Sequence, residues 1–289
     1  FPYVTASIST GYSEKTKDDV PFEQKWKKNP LSQNMSISLF NSKLSISESY
    51  VYNLQDNQHD SFRLSVSGFG ATVAYVHSYA TQYNLIRVPK PGETRGWNAK
   101  KDKEFKPYSL SFSYTMPSKT FYSWFNRISF APGLKTSLVA DLVRPTNSYL
   151  TFSPSLTFKI NKFLNLTFSA TSQNSILYWY FHNERNDPYS DWGGFPGNIL
   201  KDLIDSFNFG DKSAREQAGF KLKSLNMTLS HDLHDWSFNM TFKIEPRLVT
   251  ENGNRRYDFN PYISVGIVWN PMESIKTTII DEYGEWRLE

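Results

Sequence analysis

The most constraining feature of this sequence is a strict alternation of apolar and small polar side chains with a period of two residues. In residues 108 to 116, YSLSFSYTM, tyrosine, leucine, phenylalanine and methionine alternate with serine and threonine. That period places the two kinds of side chain on opposite faces of a β-strand. The pattern recurs in LTFSPSLTFKI (150–160), LNLTFSA (164–170), LNMTLS (225–230), WSFNMTFKI (236–244) and YDFNPYISVGIVW (257–269). The sequence therefore predicts an all-β protein.

The length and the polar face of these runs favour a membrane protein over a soluble sandwich. Sandwich strands usually have five or six residues and carry Lys and Glu outward, whereas most of these runs are longer and carry Ser, Thr and Asn. A tilted strand crosses a bilayer in about 9 to 11 residues, with apolar side chains toward lipid and polar ones toward the lumen. The aromatic share of 16% suits interfacial girdles, and the mean hydropathy of −0.53 suits a polar lumen. We expect an antiparallel transmembrane β-barrel in a bacterial outer membrane.

The connections support this prediction, because short and long segments alternate along the chain as periplasmic turns and external loops do. They predict about twelve strands, with both ends of the array on the periplasmic side. The last strand is 257–269, closed by Trp269, and 270–289 forms a C-terminal tail. We expect residues 1–289 to be a single barrel domain or the C-terminal segment of a larger barrel in a longer protein. The short segments are 41–43, 68–70, 117–119, 161–162 and 232–235, and the long ones are 13–34, 53–60, 83–106, 143–148, 177–217 and 250–256.

Residues 177–217 interrupt the strand pattern. Within them, NILKDLIDSF has apolar residues at helical spacing, which predicts one short amphipathic helix near 198–207. We expect that helix to pack on the rim of the barrel or into its lumen. Pro132, Pro154 and Pro261 fall on the apolar phase of strands and lack a ladder donor, so bulges or kinks are expected there.

The stretch SHDLHDWSF contains two histidines, each followed by an aspartate. Its DLHD core lies between two predicted strands, which makes it a tight periplasmic turn, and Trp236 then begins the next strand as an interface anchor. Two imidazoles on a solvated turn without a third protein ligand make a poor metal site. The chain has no cysteine, which excludes thiolate ligands and cysteine nucleophiles. We predict a structural role for His231, Asp232, Leu233, His234, Asp235 and Trp236, and no catalytic, cofactor or metal site.

Residues 220–244, FKLKSLNMTLSHDLHDWSFNMTFKI, resemble the C-terminal barrel region of the LptD family, the outer-membrane lipopolysaccharide-assembly proteins also called organic solvent tolerance proteins. Members of that family carry a DLH-x-W hairpin after an SFNF-type segment, and DSFNFGD (205–211) precedes the hairpin here. The resemblance covers roughly residues 196–270. The chain departs from a full member in lacking the periplasmic β-jellyroll domain, the early strands and the paired cysteines.

The resemblance implies a non-catalytic, gated barrel of more than twelve strands that passes lipopolysaccharide or a related glycolipid sideways into the outer leaflet. The implied partners are membrane lipid, the glycolipid, an LptE-like plug lipoprotein and periplasmic bridge proteins. In such a barrel the strand 257–269 pairs with the first strand through a seam that opens. Pro261 and Trp269 are the candidate seam residues, although a bulge in a sealed barrel explains Pro261 equally well.

Two other functions compete with glycolipid transport. A passive porin-like channel usually needs charged constriction rings, and inward charges such as Lys159 and Lys243 are few. An outer-membrane hydrolase is a weaker alternative. Asp232 and His234 resemble the Asp-x-His pair of the omptin proteases, but the predicted topology places them on the opposite rim. Nucleic acid is excluded as a partner, because the net charge of +4 is spread along the chain without a basic block.

Overall fold

Antiparallel β-strands make up most of the residues that the computed structural model describes. The model describes residues 3–14, 26–86, 90–91, 96–117, 119–125, 127–161, 163–181, 198–208, 210–251, 254–272, 275–282 and 284–288. The strands are β1 Tyr3–Glu14, β2 Trp26–Leu39, β3 Leu44–Asn53, β4 Gln58–Gly68, β5 Ala71–Ile86, β6 Gly96–Thr115, β7 Tyr122–Trp124, β8 Ile128–Asp141, β9 Tyr149–Ile160, β10 Leu164–Asn174, β11 Phe220–Asp232, β12 Trp236–Ile244, β13 Arg247–Glu251, β14 Asn254–Asp258, β15 Tyr262–Trp269, β16 Lys276–Glu282 and β17 Glu285–Leu288.

Three short helices, α1 Leu177–Phe181, α2 Ile199–Asp205 and α3 Lys212–Gln217, lie between β10 and β11, and Pro145–Asn147 forms a 3-10 turn. Among the described residues, none of these helices is long and apolar enough to cross a bilayer. Helix α2 confirms the helix predicted near 198–207. The prediction of a single helix in this segment was incomplete, because the aromatic run LYWYF also forms a helical turn.

Two compact units divide the chain. The first comprises residues 1–114, 137–149 and 181–195, and the second comprises residues 115–136, 150–180 and 196–289. In the first unit the strands follow one another in the order β1-β2-β3-β4-β5-β6, with the end of β8 beside β6. In the second unit β7 pairs with the beginning of β8, and the order continues β9-β10-β11-β12-β15-β16-β17. Strands β13 and β14 form a separate hairpin.

Tight turns join many of the neighbouring strands, as the short segments predicted. Between β4 and β5, Phe69 and Gly70 both have positive φ, 53° and 84°, as a two-residue type I′ turn requires. Ser118 and Lys162, which belong to two of the predicted turns, lie outside the described residues.

Register shifts interrupt several of the ladders. They fall between Ser9 and Gly11 in β1, Val51 and Tyr52 in β3, and Thr171 and Ser172 in β10. Two more lie in β5, after Val76 and after Thr81. The shift in β10 lies far from the short turn before Leu164, whereas the shift in β3 lies close to the turn 54–57 that joins β3 to β4.

The structure confirms the all-β antiparallel class and corrects its details. Seventeen strands lie in the described residues, against about twelve predicted. Strands β2 and β6 run through much of the predicted loops 13–34 and 83–106, because the ladders continue past the apolar residues into lysine-bearing segments. In β6 the side chains of this segment stay exposed. The predicted tail 270–289 contains β16 and β17. These two strands are only seven and four residues long, too short for the alternation to stand out.

Candidate functional site

The strands of the second unit present an aromatic face, defined by the apolar phase of β9 to β12 and β15 to β16. Its side chains line up across neighbouring strands because the ladders are in register, and Phe168 is 39% exposed. Phe112, on the matching phase of the first unit, is also exposed, whereas Phe158, Phe238 and Val265 are half-buried. One row of this face runs Phe158, Leu166, Leu229, Met240, Val265, Ile279.

The opposite phase forms a hydroxyl face. Across it, Thr157 and Thr167 approach to 3.4 Å through their hydroxyl groups, and Ser153 and Thr171 to 3.1 Å. Hydroxyl groups both donate and accept hydrogen bonds, so this face can solvate polar solutes or headgroups without selecting one charge. The next row toward the short turns contains Lys159. One hydroxyl row runs Thr157, Thr167, Thr228, Thr241, Ser264.

The first unit repeats this two-faced arrangement. Its apolar row runs Val4, Ile37, Ile46, Val66, Val73, Phe112. In the neighbouring row of the same face, Glu48 lies opposite Met35 on one side and Leu64 on the other. A carboxylate among apolar neighbours is a feature that the sequence analysis missed, although the alternation SISESY around Glu48 contained the signal.

A cluster of aromatic rings and two histidines lies on the apolar phase of β3 to β6, on the side of the turn 54–57 that joins β3 to β4. The Tyr50 hydroxyl lies 2.6 Å from Nδ1 of His59, and the Tyr75 hydroxyl 2.9 Å from Nδ1 of His77. Phe105 contacts both imidazoles, with ring centroids 5.2 and 4.4 Å away. Rings with a polar tip are the side chains found where an apolar face meets the membrane interface.

The DLHD turn is held by hydrogen bonds to its two neighbouring turns. On one side, Nδ1 of His231 donates to the Phe163 carbonyl at 2.8 Å, and the Asp232 amide donates to the same oxygen at 2.7 Å. On the other side, the Asn270 side chain donates to the His234 carbonyl at 2.7 Å. The Asn270 amide also donates to the Asp235 carbonyl, at 2.7 Å.

Inside the turn, His234 adopts a left-handed conformation with φ of 67°, and its amide donates to the Asp232 carboxylate at 3.1 Å. The side chains of Asp232 and His231 are thus engaged with backbone groups. Within the residues that the structure describes, no group of three or more His, Asp or Glu side chains converges on a point where a metal ion could sit.

Trp236 and Trp269 begin and end neighbouring strands and lie directly opposite one another in the β12–β15 ladder. The prediction that 257–269 is the final strand is wrong. Strand β15 begins at Tyr262 and pairs on both sides, with β12 and with β16. Pro261 precedes the strand, so it removes no ladder donor, and neither Pro261 nor Trp269 lies at a sheet edge. The C-terminal edge strand is β17.

A buried polar network in the second unit was not predicted. The Asp202 carboxylate on α2 accepts hydrogen bonds from the Tyr180 hydroxyl and, at 2.9 Å, from the Gly219 amide. Burial, followed by the hydrogen bond and charge of Asp202, raises the pKa of the Tyr180 phenol well above its ordinary value. The Ser172 hydroxyl on β10 donates to that of Ser206 at 2.9 Å. No sequence pattern predicts this network, because its members come from four separate segments.

Neither the protein-family models nor the curated proteins give a match to this chain. Among solved structures, a triple mutant of the porin of Rhodopseudomonas blastica aligns with a TM-score of 0.26 and 7% identity, covering 100% of this chain and 97% of that chain. Another mutant of the same porin aligns with a TM-score of 0.25 and 7% identity over the same shares. TM-scores below 0.5 do not establish a common fold.

Proposed function

We propose that this protein is a β-barrel of the bacterial outer membrane whose hydroxyl face lines a passage for polar solutes. The observation that carries the proposal is the pair of in-register rows, apolar on one phase and hydroxylated on the other, that run across neighbouring strands. Strands of 8 to 14 residues dominate the two units. Such lengths suit tilted strands that cross a hydrocarbon core about 30 Å thick.

The passage suits uncharged and weakly charged solutes. Hydroxyl and amide groups replace part of a solute's hydration shell, and charges on this face, such as Lys159, are sparse along the registers. We propose no covalent chemistry for the protein, since transport along such a face needs none. This assignment favours a porin-like channel.

A second candidate is insertion of lipopolysaccharide or a related glycolipid, in the manner of the LptD family. It is supported by the resemblance of residues 205–211 and 220–244 and by the DLHD turn, whose hydrogen bonds to both neighbouring turns suit a fixed corner of a larger barrel. An LptE-like plug lipoprotein and periplasmic bridge proteins are the partners that this function requires. Pro261 and Trp269 lie away from the sheet edges, so a seam would have to involve other strands.

Single-channel recording tests the channel. Protein reconstituted into planar bilayers should produce discrete conductance steps. Replacing Thr228, in the hydroxyl row, with Asp or with Lys should shift the ion selectivity in opposite directions, because a charge in the passage attracts counter-ions. Leu233→Asp and Leu233→Lys, in the exposed turn, are the matched controls and should leave the selectivity unchanged. The absence of conductance steps, or equal effects at both positions, contradicts a passage along this face.

Deletion in the source bacterium separates the two candidates. Loss of a channel should slow uptake of small hydrophilic solutes and leave surface lipopolysaccharide unchanged. Loss of a glycolipid inserter should deplete surface lipopolysaccharide and make the outer membrane permeable to hydrophobic compounds. A deletion strain that changes neither property contradicts both functions.

A further inference from the structure

Helix α2 exposes part of its apolar side and buries part of its polar side. Asp202 and Ser206, one turn apart, are 8% and 1% exposed, whereas Leu200 and Ile204, also one turn apart, are 66% and 71% exposed. A helix on the surface of a water-soluble protein buries its apolar stripe. Two large aliphatic side chains exposed on one helical face form an apolar patch that suits a nonpolar neighbour.

The buried side of α2 is held by hydrogen bonds that fix how the helix is turned. The Asp202 carboxylate accepts from the Tyr180 hydroxyl and from the Gly219 amide, and the Ser206 hydroxyl donates to the Leu203 carbonyl at 2.7 Å. At the start of the helix, the Asn198 side chain accepts from the Leu200 amide at 2.8 Å. Rotation of the helix to bury Leu200 and Ile204 would break the bonds of Asp202 and leave the buried Gly219 amide without its acceptor.

The β10 residue that contacts helix α2 belongs to the aromatic face. Ser172, whose hydroxyl donates to Ser206, is four residues beyond Phe168 in β10 and so has the same phase. Its partner in β9 is Phe152, which has the same phase as Phe158. Helix α2 thus lies against the continuation of the aromatic face, roughly 13 Å along the strand from Phe168 at about 3.3 Å per residue.

We propose that α2 is an interfacial membrane anchor, with Leu200 and Ile204 inserted among the headgroups and upper acyl chains of the same bilayer that covers the aromatic face. The inference rests on the proposed membrane location, and its occupant is lipid because the exposed stripe is continuous with a face already assigned to lipid. Amphipathic helices lie in this way with their apolar side sunk about 5 to 10 Å into the boundary between headgroups and acyl chains.

Site-specific fluorescence tests the anchor, and the chain is suited to it because it has no cysteine. The variants Leu200→Cys, Ile204→Cys, Lys201→Cys and Phe168→Cys, each labelled with bimane, would be reconstituted into phosphatidylcholine vesicles. The vesicles carry a nitroxide quencher either near the headgroup or deep in the acyl chain. The exposed Lys201 provides the matched control on the same helix, and Phe168 reports the aromatic face.

We expect shallow nitroxide to quench the labels at 200 and 204 at least twofold more than the label at 201. Aqueous iodide should quench the label at 201 more than the labels at 200 and 204. The label at 168 should be quenched by lipid nitroxide in every case. Lipid quenching at 168 without any at 200 and 204 overturns the anchor and leaves the membrane location intact. Such a result would mean that this helix face contacts water or a protein partner. No lipid quenching at 168 overturns both proposals.

Discussion

Trp236 stacks on Trp269 of the neighbouring strand, with ring centroids 6.1 Å apart and ring planes inclined by 30°. The two residues are direct partners in the β12–β15 ladder, next to the turn that Asn270 holds. Aromatic pairs contribute roughly 0.5–1.5 kcal/mol beyond the area that they bury. We expect a double-mutant cycle with Trp236→Ala and Trp269→Ala to give a coupling free energy of about 1 kcal/mol by urea unfolding in detergent micelles. Additive single-mutant effects would show that the stack contributes nothing of its own.

Glu48 allows the direction of the apolar face to be tested. If the face contacts lipid, Glu48→Leu removes a carboxylate from the hydrocarbon boundary and should raise the free energy of unfolding in phospholipid vesicles by about 1 kcal/mol, the scale of polar groups on the lipid face of a barrel. Ser47→Leu, one residue away on the hydroxyl face, is the matched control and should not stabilise the protein. If Ser47→Leu raised the free energy of unfolding and Glu48→Leu lowered it, the lipid-facing and lumen-facing sides would be assigned the wrong way round.

His234 occupies a backbone conformation that favours glycine. A non-glycine residue with left-handed φ costs roughly 1–3 kcal/mol, most for β-branched residues. We expect His234→Gly to be neutral or stabilising by up to about 1 kcal/mol, and His234→Val to be destabilising by about 1–3 kcal/mol. The double variant His231→Ala, His234→Ala should have the same zinc content as the wild type, measured by atomic emission. Stoichiometric zinc in the wild type that the double variant loses would contradict a purely structural turn.

Gly219 lies against the buried network that docks α2. A methyl group at this position would collide with the Tyr180 hydroxyl and come within 2.9 Å of the Asp202 carboxylate, so Gly219→Ala should displace the helix. We expect faster proteolysis of the segment between β10 and β11, with conductance unchanged. Gly210→Ala is the control, because its added methyl group would meet only Asn208, at 3.5 Å. Equal proteolysis of the two variants would show that α2 is not held through Asp202.

The raised pKa of the Tyr180 phenol predicts that the folded protein loses stability at alkaline pH. Above the ordinary tyrosine pKa of about 10 the unfolded chain loses this proton while the folded protein keeps it, so the unfolded state binds fewer protons. The contribution of this group to stability is therefore fully present below pH 10 and declines as the pH rises above that value. The difference in unfolding midpoint between wild type and Tyr180→Phe should shrink between pH 9 and 11. A difference that stays constant over this range would exclude the linkage.

The strands that the sequence predicted best are those whose stability comes from local alternation. Residues 150–160 and 236–244 have apolar and hydroxylated side chains at fixed phases, and they form β9 and β12 with nearly those boundaries. In β6, by contrast, the lysine-bearing residues before Tyr108 have no apolar phase. Their strand conformation comes from pairing with the long β5, a nonlocal interaction.

The candidate site also has features that the sequence predicts and features that it does not. The turn at 232–235 was predictable, since its flanking strands define it. Its bonds to Phe163 and Asn270 were not, because they join turns 68 and 36 residues apart in sequence. The orientation of α2 could not be predicted from the sequence either. Helical spacing identifies an apolar stripe but does not indicate whether that stripe points inward or outward.

The placement of the register shift in β10 has a consequence for assembly. Because the shift at Thr171 lies far from the short turns that flank β10 and β11, their ladder is unbroken over the eight pairs nearest those turns, from Leu164–His231 to Thr171–Ser224. Closing a short turn costs the least chain entropy, so pairing should nucleate there and zip outward. A register shift that forms later, at the far end of the ladder, then leaves the existing strand pairs unchanged. The ends of β10 and β11 beyond the shift can therefore gain or lose single residues, while their ends at the short turns cannot.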